Sequence, residues 1–519
     1  MVRLFSFFSK KRKEPSVSQE LKISELKIDI QNKGYETRGP EFSGWDYLAD
    51  SADNDILDNL QELRGMSRDL YMTNEIAVAV LEKFRNKGIG VGLLPEPTIN
   101  YSYLGISEEK AKEMERIIKM RFDAWAYSTN SDTTRMHDFY TLQSLAMISW
   151  LMNGDVFAVV KRKKTSIVDI ELCIQLIEAD RVVNPLGANE LTKEGVEFNS
   201  NGELFKYYIS NKHPGDGNVE IQGYPVFNSL GGRHILHIFE PNRIGQRRGV
   251  PILAPVLKSF KQLGRYKDAE LMAAVLSATV AMILKTQTPG QGGIINKGHL
   301  NDALGRAESG NNKTDVEEIR KQVKRAYRHG TVFETTGEDE LKEFQTTRPN
   351  KNFSEFVNHV LEEIGASLGM PHEVMMGSFK SSYSAAKAAL EEAETRIANA
   401  SEIIKRKFCQ LVYEEFLIEL LRNGEIECPG FFENINIRRA LSRCIWIGRH
   451  KPSLDPVKDA RADEYNLKNG LTTKRYIVRS KGQDYDELQN QRRREAIEQA
   501  ELDMEVMKIK KGVNNKNAD

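Results

Sequence analysis

SSYSAAKAALEEAETRIANASEIIKRKFCQLVYEEFLIELLRN, residues 381–423, is built mostly from strong helix formers, and the run from Ser378 to Asn423 that contains it has neither glycine nor proline. This predicts one very long helix. At 1.5 Å per residue it reaches on the order of 60 Å, about twice the diameter of a small domain. Such a helix reads as a strut in something large rather than as an element buried within one compact core. The competing reading is two ordinary helices joined by a glycine-free turn. Both end at Gly424, a fitting C′ residue because glycine enters the left-handed conformation freely.

The chain has 519 residues, enough for roughly two to four domains, each with its own core. Its 74 basic side chains balance 74 acidic ones, so no general attraction to phosphate backbones follows, and any nucleic-acid contact is local or weak. The four cysteines, Cys173, Cys409, Cys428 and Cys444, show no C-x-x-C spacing and no histidine at zinc-finger intervals. They are expected to be reduced. MVRLFSFFSKKRKEPS at the start is too short in apolar residues for a signal-peptide core and reads as a flexible basic tail. The most apolar stretch, LMAAVLSATVAMIL (271–284), is short of a membrane span, is flanked by Glu270 and Lys285, and reads as a buried helix.

Working outward from the long helix, the apolar spacing changes period twice. Ile76, Val80 and Phe84 recur at helical intervals, as do Met114, Ile118, Phe122 and Trp125, with a bend at Gly88-Ile-Gly-Val-Gly92 between them. A third helix spans about 139–151. Val168, Ile170, Leu172, Ile174 and Leu176 then alternate as on one face of a strand. Asn201-Gly202 separates VEF from ELFKYYI and reads as a type I′ hairpin. Residues 155–240 are therefore the β-rich part of a predominantly helical α+β chain. A helix over about 255–285 follows, then a glycine-rich polar excursion, a basic helical segment VEEIRKQVKRAYRHG and a strand-like TVFETTG. Phe353, Phe356, Val357, Val360, Leu361 and Ile364 mark another core-facing helix that stops at Gly369-Met370-Pro371. Beyond Tyr485 the tail is a charged helix.

Catalytic motifs are scarce. No glycine is followed by lysine, so a Walker A loop is absent. Gly365-Ala-Ser367-Leu-Gly369 has nucleophile-elbow spacing but falls at the end of an amphipathic helix, without the strand that an elbow needs. His372-Glu373 begins like a zinc-protease helix, yet Met376 stands where the second histidine belongs, and the segment reads as a loop. Asp46, Asp50, Asp53, Asp55 and Asp58 lack the glycine of a calcium loop and read as a solvated acidic face. His234 and His237, in strand-like sequence, read as structural. No catalytic residue, metal ligand or cofactor site is expected. Lys321, Lys324, Arg325 and Arg328 fall on one helix face, either as a solvated surface or as a partner contact.

Several segments resemble the lambda-type portal family of tailed bacteriophages. The resemblance runs from Leu63-Arg64, Ser67-Arg68-Asp69-Leu70 and Asn74 through Gly88-Ile-Gly90, Asn153-Gly154-Asp155 and Leu176-Ile-Glu178-Ala-Asp180-Arg181. It is sharpest at His237-Ile-Phe239, Gly245-Gln246-Arg247-Arg248-Gly249-Val250-Pro251 and Leu253-Ala254-Pro255, with Tyr266 and Asp268-Ala269-Glu270 beyond. It continues through Pro349, Phe353, Gly369-Met370-Pro371, Tyr383-Ser384 and Ala386-Lys387-Ala388, and closes with Trp446, Asp455-Pro456, Lys458, Gly470, Gly482 and Asp484. The order and spacing of these segments over roughly residues 45–500 carry the resemblance. Ala385, Lys387 and Ile252 depart from the family's commoner serine, arginine and tryptophan; a lysine at 387 loses the planar two-pronged contact of a guanidinium.

The resemblance implies a subunit of a ring, expected to be twelvefold, at one capsid vertex of a virion, through which double-stranded DNA is packaged and ejected. It implies a flexible basic tail over 1–44, a wing over 45–254, a first stem helix over 255–286, a clip over 287–350 and a second stem helix over 351–369. A tunnel loop over 370–383, a long wing helix over 384–424 and a C-terminal wing and crown region over 425–519 follow. Met375, Met376, Ser378 and Lys380 are then expected at the DNA channel, and Lys321, Lys324, Arg325 and Arg328 at the docking surface for the large terminase motor and later the head-tail adaptor. Gln246, Arg248, Gly249, Pro251, Tyr383, Lys387, Trp446, Asp455 and Pro456 are expected to be structural. Capsid or scaffold protein is a further implied partner, with assembly in the host bacterial cytoplasm. A near-neutral wall agrees with a conduit, since many neutralised phosphates would hold the cargo. The alternatives are a packaging nuclease or ATPase, or a head-tail adaptor.

Overall fold

The computed structural model describes residues 50–164, 169–228, 231–279, 283–285, 333–335, 352–380, 382–448 and 455–516. The chain opens with helices α1 (Ala52–Leu57), α2 (Leu60–Thr73) and α3 (Glu75–Gly88). Asn74 closes α2 and starts α3. Its side-chain oxygen accepts from the backbone N–H groups of Ile76 and Ala77, both at 3.0 Å, satisfying two donors that a helix start leaves free. Strand β1 (Leu94–Pro97), α4 (Tyr101–Leu104), α5 (Glu108–Ala126) and α6 (Phe139–Asn153) follow. The apolar positions read from the sequence, Ile76, Val80, Phe84, Met114, Ile118, Phe122 and Trp125, are all buried in one core.

The β-rich part comprises β2 (Asp155–Arg162), β3 (Leu172–Glu178), β4 (Thr192–Lys193), β5 (Val196–Phe198), β6 (Leu204–Ser210), β7 (Ile221–Pro225) and β8 (Ile235–Phe239). Two antiparallel sheets result, β3-β2-β8 and the meander β4-β5-β6-β7. Central strand β2 has an unbroken apolar run because both of its faces are covered. Val156, Ala158 and Val160 enter the main core, while Phe157 and Val159 enter a second core with Tyr207, Ile209 and Val226. Of the predicted alternating row, Ile170, Leu172 and Ile174 are buried; Val168 lies outside the described residues.

The hairpin at Asn201-Gly202 forms between β5 and β6, but not as a type I′ turn. That turn needs positive φ at both central residues, and here Gly202 has it (φ +78°) while Asn201 does not. The turn is closed by the Gly202 N–H donating to the Asn199 carbonyl (3.0 Å). The Asn199 side chain accepts from the N–H groups of Asn201 and Glu203, which favours the longer loop.

Helix α7 (Leu257–Thr279) ends earlier than the sequence suggested, and Ile283–Lys285 form β9, paired in parallel with β10 (Phe333–Thr335). Helix α8 (Phe353–Leu368) lies against α7 through Tyr266, whose ring is 5.5 Å from Phe353 and 4.8 Å from Phe356. It stops at Gly369 (φ +64°), and a short helix α9 (His372–Met376) occupies the segment expected to be a loop.

The long helix exists. Helix α10 (Tyr383–Ile404) passes through a π-helical turn, Lys405–Cys409, directly into α11 (Gln410–Arg422). Gly424 (φ +70°) ends it: its N–H reaches the Leu421 carbonyl and that of Glu425 the Leu420 carbonyl. Burial of the long helix changes along its length. The first turns of α10 are largely exposed, whereas Val412, Tyr413, Phe416 and Leu420 are fully buried. There the Phe416 ring lies 5.0 Å from Phe122 and 5.6 Å from Trp125, and each such buried ring contributes about 1.5 to 3 kcal/mol. Helix α12 (Ile435–Leu441), strand β11 (Cys444–Ile447) on β1, and helices α13 (Pro456–Lys468), α14 (Lys474–Ser480) and α15 (Tyr485–Lys516) complete the described chain.

Candidate functional site

The segment between α8 and α10 contains the residues expected at a channel. Gly369 permits the reversal after α8, where the Met370 N–H donates to the Gly365 carbonyl at 2.8 Å. The α9 turn then sorts its two methionines. Met375 is 1% exposed, packs in the main core, and its carbonyl accepts from Lys83 Nζ at 3.0 Å. Burial lowers the pKa of that ammonium. The Met375 side chain is therefore a packing element, contrary to its expected place on a channel wall. Met376 is 46% exposed, and Ser378 and Lys380 are exposed after Gly377 (φ +67°). Ser382 caps α10 by accepting from the Ala385 N–H.

Tyr383 is exposed, with Lys458 Nζ 5.9 Å from its ring centre. Lys458 pairs with Asp455 (3.2 Å), whose side chain also caps α13 ahead of Pro456 in the first turn. Lys387 makes an exposed contact with Glu391 at 3.9 Å, one turn along its own helix. Trp446 is buried, and its Nε1–H donates to Gln410 (3.3 Å). Lys321, Lys324, Arg325 and Arg328 lie outside the described residues.

The segments that carry the family resemblance converge on one buried carboxylate. Asp155 is fully buried at the start of β2. It accepts from Arg64 of α2 (3.0 Å), from Arg248 Nε (2.7 Å) and from the Gly249 N–H (3.1 Å). His237 Nε2 is 3.3 Å away and carries the proton, since an ionised carboxylate only accepts. Arg248, also fully buried, donates a second bond to Asp155 from Nη2 (3.3 Å) and its other N–H groups to the carbonyls of Ala179, Val182 and Glu194. Burial alone would raise the Asp155 pKa, but the charges of Arg248 and Arg64 outweigh it and hold the carboxyl well below its usual range. Burial brings the Arg64 guanidinium down to about 10, still charged at neutral pH.

Burial also lowers His237, to about 4, against the pull of Asp155. A third cation on a carboxylate that already holds two guanidinium groups gains little, so His237 is neutral at pH 7. Asp180 extends the cluster toward Arg64 (3.6 Å) and Arg68. Gln246 shapes the loop that delivers Arg248: its oxygen accepts from the N–H groups of Asn242 and Arg243, and its amide donates to the Arg248 carbonyl. Pro251 is buried at the end of this loop. The cluster fixes α2, one end of the β3-β2-β8 sheet and the loop leading to α7 to one another. Among the described residues no group of His, Cys, Asp or Glu side chains could hold a metal ion.

The acidic row near the start is not simply a solvated face. Asp53 is buried and pairs with Arg247 (2.9 Å), and Asp55 pairs with Arg243. A second buried ion cluster escaped the sequence reading altogether: Arg162 bridges Glu415 (3.1 Å) and Glu419 of α11. Burial raises the Glu415 pKa despite the guanidinium beside it. Four separated segments meet at Asp155 and two at Arg162. The only advance signal was the presence of Arg64, Asp155, His237 and Arg248 in the quoted motifs.

A profile of the family described as "Phage portal protein, lambda family" matches residues 38–400. Portal protein B of Escherichia phage lambda is 22% identical over 488 residues, covering 90% of each chain. The portal protein of Escherichia phage N15 is 22% identical over 480 residues, covering 89% of this chain and 88% of the relative. Among solved structures, a chain of the virion of a native gene transfer agent particle aligns with 82% of this chain and 93% of its own, at 11% identity and a TM-score of 0.40.

Proposed function

The chain belongs to the lambda family of phage portal proteins, and from that premise we propose that its ring, expected to be twelvefold, is the conduit through which double-stranded DNA enters and leaves the capsid. As a portal protein it is a ring-forming component of the phage virion. The observation that carries the conduit reading is the surface left uncovered on α7, α8 and the following loop. Leu271 is 65% exposed, Met272 and Val275 lie beside it, and Phe356 and Met376 are also exposed. Apolar side chains on consecutive elements mark a surface that a neighbour covers.

On this reading α7 and α8 are the two stem helices, and residues 370–383, which contain α9, are the tunnel loop. Its exposed residues Met376, Ser378 and Lys380 present one cation among apolar and neutral groups, which suits DNA that must slide. The clip lies between the stem helices in the chain, and the one-sided spacing of Lys321, Lys324, Arg325 and Arg328 supports it as the docking face for an acidic surface of the terminase motor and later the adaptor. Contact with capsid or scaffold protein in the host cytoplasm precedes incorporation into the particle. The chain acts as a conduit and carries out no chemistry of its own; the buried Asp155 cluster supports this, being spent on structure. The test is in vitro packaging with rings carrying Lys321→Glu, Lys324→Glu and Arg325→Glu. Motor binding is expected to weaken while the ring still forms; wild-type motor binding and packaging would remove the docking assignment.

A further inference from the structure

A cavity of about 360 Å³ is bounded by β5, β6, β8 and the π-helical turn, and its lining includes Arg233, Arg247, Arg406 and Lys407 together with Phe198, His237 and Gln246. No aspartate or glutamate lines it. Arg247 is committed to Asp53 and lies over the Phe198 ring at 4.4 Å. The other three cations have no carboxylate within ion-pair distance among the described residues. Lys407 Nζ donates to the Phe239 carbonyl (2.7 Å) and stands 4.3 Å from the Phe239 ring centre. Arg406 Nε donates to the Glu402 carbonyl (3.3 Å), and the Arg233 guanidinium lies 5.3 Å from the Phe227 ring. The neighbouring carboxylates are taken: Glu240 by Arg396, Glu414 by Arg438 and Glu415 by Arg162.

Three mutually repelling cations around a partly apolar cavity raise the free energy of the empty site and make it receptive to an anion. Burial, then Arg406 and Arg233, lower the pKa of Lys407, with Glu240 opposing them. The chain places Arg406 and Lys407 here by a π-helical turn, an irregularity found frequently at functional sites. We propose that this cavity is a phosphate site that takes a phosphate monoester carrying a planar aromatic group. A monoester brings a charge of about −1.5 to −2 and three strong acceptor oxygens, which suits three free cations better than a single carboxylate does. The partly buried Phe198 ring, with Arg247 over it, supplies apolar surface for the attached group.

Two sources share this chemistry, a free nucleotide and the phosphorylated end of a DNA strand. The experiment is calorimetric titration of the full chain with AMP, adenosine and inorganic phosphate, followed by competition with duplexes that end in phosphate or hydroxyl. AMP is expected to bind saturably and adenosine to bind far more weakly. Arg406→Gln, on an exposed side chain whose loss spares the core, is expected to weaken AMP roughly tenfold or more, and Lys407→Gln to do likewise. Lys110→Gln, elsewhere on the surface, should leave AMP binding unchanged. Competition by the phosphate-ended duplex alone would identify DNA ends as the source, and no competition by either duplex would identify free nucleotide. AMP binding no better than adenosine, or an unchanged affinity in Arg406→Gln, overturns the proposal. So does binding by the monomer that disappears in the assembled ring, which would assign the cavity to an acidic group of a neighbouring copy.

Discussion

Gly154 and Gly249 meet backbone to backbone: a β-carbon on Gly249 would stand 1.8 Å from the Gly154 carbonyl oxygen, and one on Gly154 would stand 2.5 Å from the Gly249 carbonyl oxygen. This contact sets the start of β2 against the loop that carries Arg248, and so holds the guanidinium of Arg248 over Asp155. Gly249→Ala must displace backbone rather than a flexible side chain, and it is expected to cost about 3 kcal/mol in urea unfolding. Gly65→Ala is the contrast. Its β-carbon meets nothing within 4 Å, and within α2 alanine should be neutral or stabilise by up to about 1 kcal/mol.

Removing the carboxylate charge itself should be at least as damaging. Asp155→Asn leaves Arg248 buried without its counter-charge and Arg64 with only Asp180 at 3.6 Å, and a loss of about 3 to 5 kcal/mol is expected at neutral pH. Circular dichroism during denaturation is the readout.

His237 gives the fold a pH dependence of definite sign. Its pKa is lowered from 6.5 to about 4 on folding, so between those values the unfolded chain binds a proton that the folded chain does not. Stability attributable to this ring is complete above the upper value and is lost as pH falls toward the lower, by roughly 3 kcal/mol in total. His237→Gln is expected to flatten that part of the stability profile, measured as denaturation midpoint against pH.

At the second ion cluster the sign reverses. Arg162→Met leaves Glu415 buried without its guanidinium, while Glu419 retains Arg422 at 3.6 Å, and a loss of about 3 to 5 kcal/mol is expected at neutral pH. The raised folded-state pKa of Glu415 means that acidification favours the folded chain at this site. Part of the loss should therefore be recovered in urea melts at mildly acidic pH.

The two methionines of α9 should behave oppositely. Met375→Ala removes a core side chain and should cost about 2 to 5 kcal/mol. Met376→Lys should leave stability and ring assembly near wild type while slowing DNA packaging, because an added cation holds phosphate more strongly. Packaging at an unchanged rate in both low and high salt would count against placing this loop at the channel.

Local pattern made some of this architecture legible in advance. The long helix and its stop at Gly424 follow from an uninterrupted run of helix formers and one residue free to turn left-handed, and α8 ends at Leu368 as its apolar spacing and the following Gly-Met-Pro require. The π-helical turn at Lys405–Cys409 was not legible, since no glycine or proline marks it and packing around Phe408 and Cys409 decides it. Nor was the burial of Met375 beside an exposed Met376, because adjacent residues of one type carry no sign of which faces a core. Single hydrogen bonds of the Asp155 cluster span up to 94 positions, a distance at which periodicity has nothing to say. Asn201-Gly202 marked the hairpin correctly while the Asn199 side chain selected a different turn.

The central claim is that this chain works as a ring, and native mass spectrometry of the purified full chain tests it most directly. A closed homo-oligomer, expected to be twelvefold, is the result that fits the apolar surface left open on α7 and α8. A chain that stays monomeric at every salt concentration, and also after mixing with its capsid protein, would contradict it.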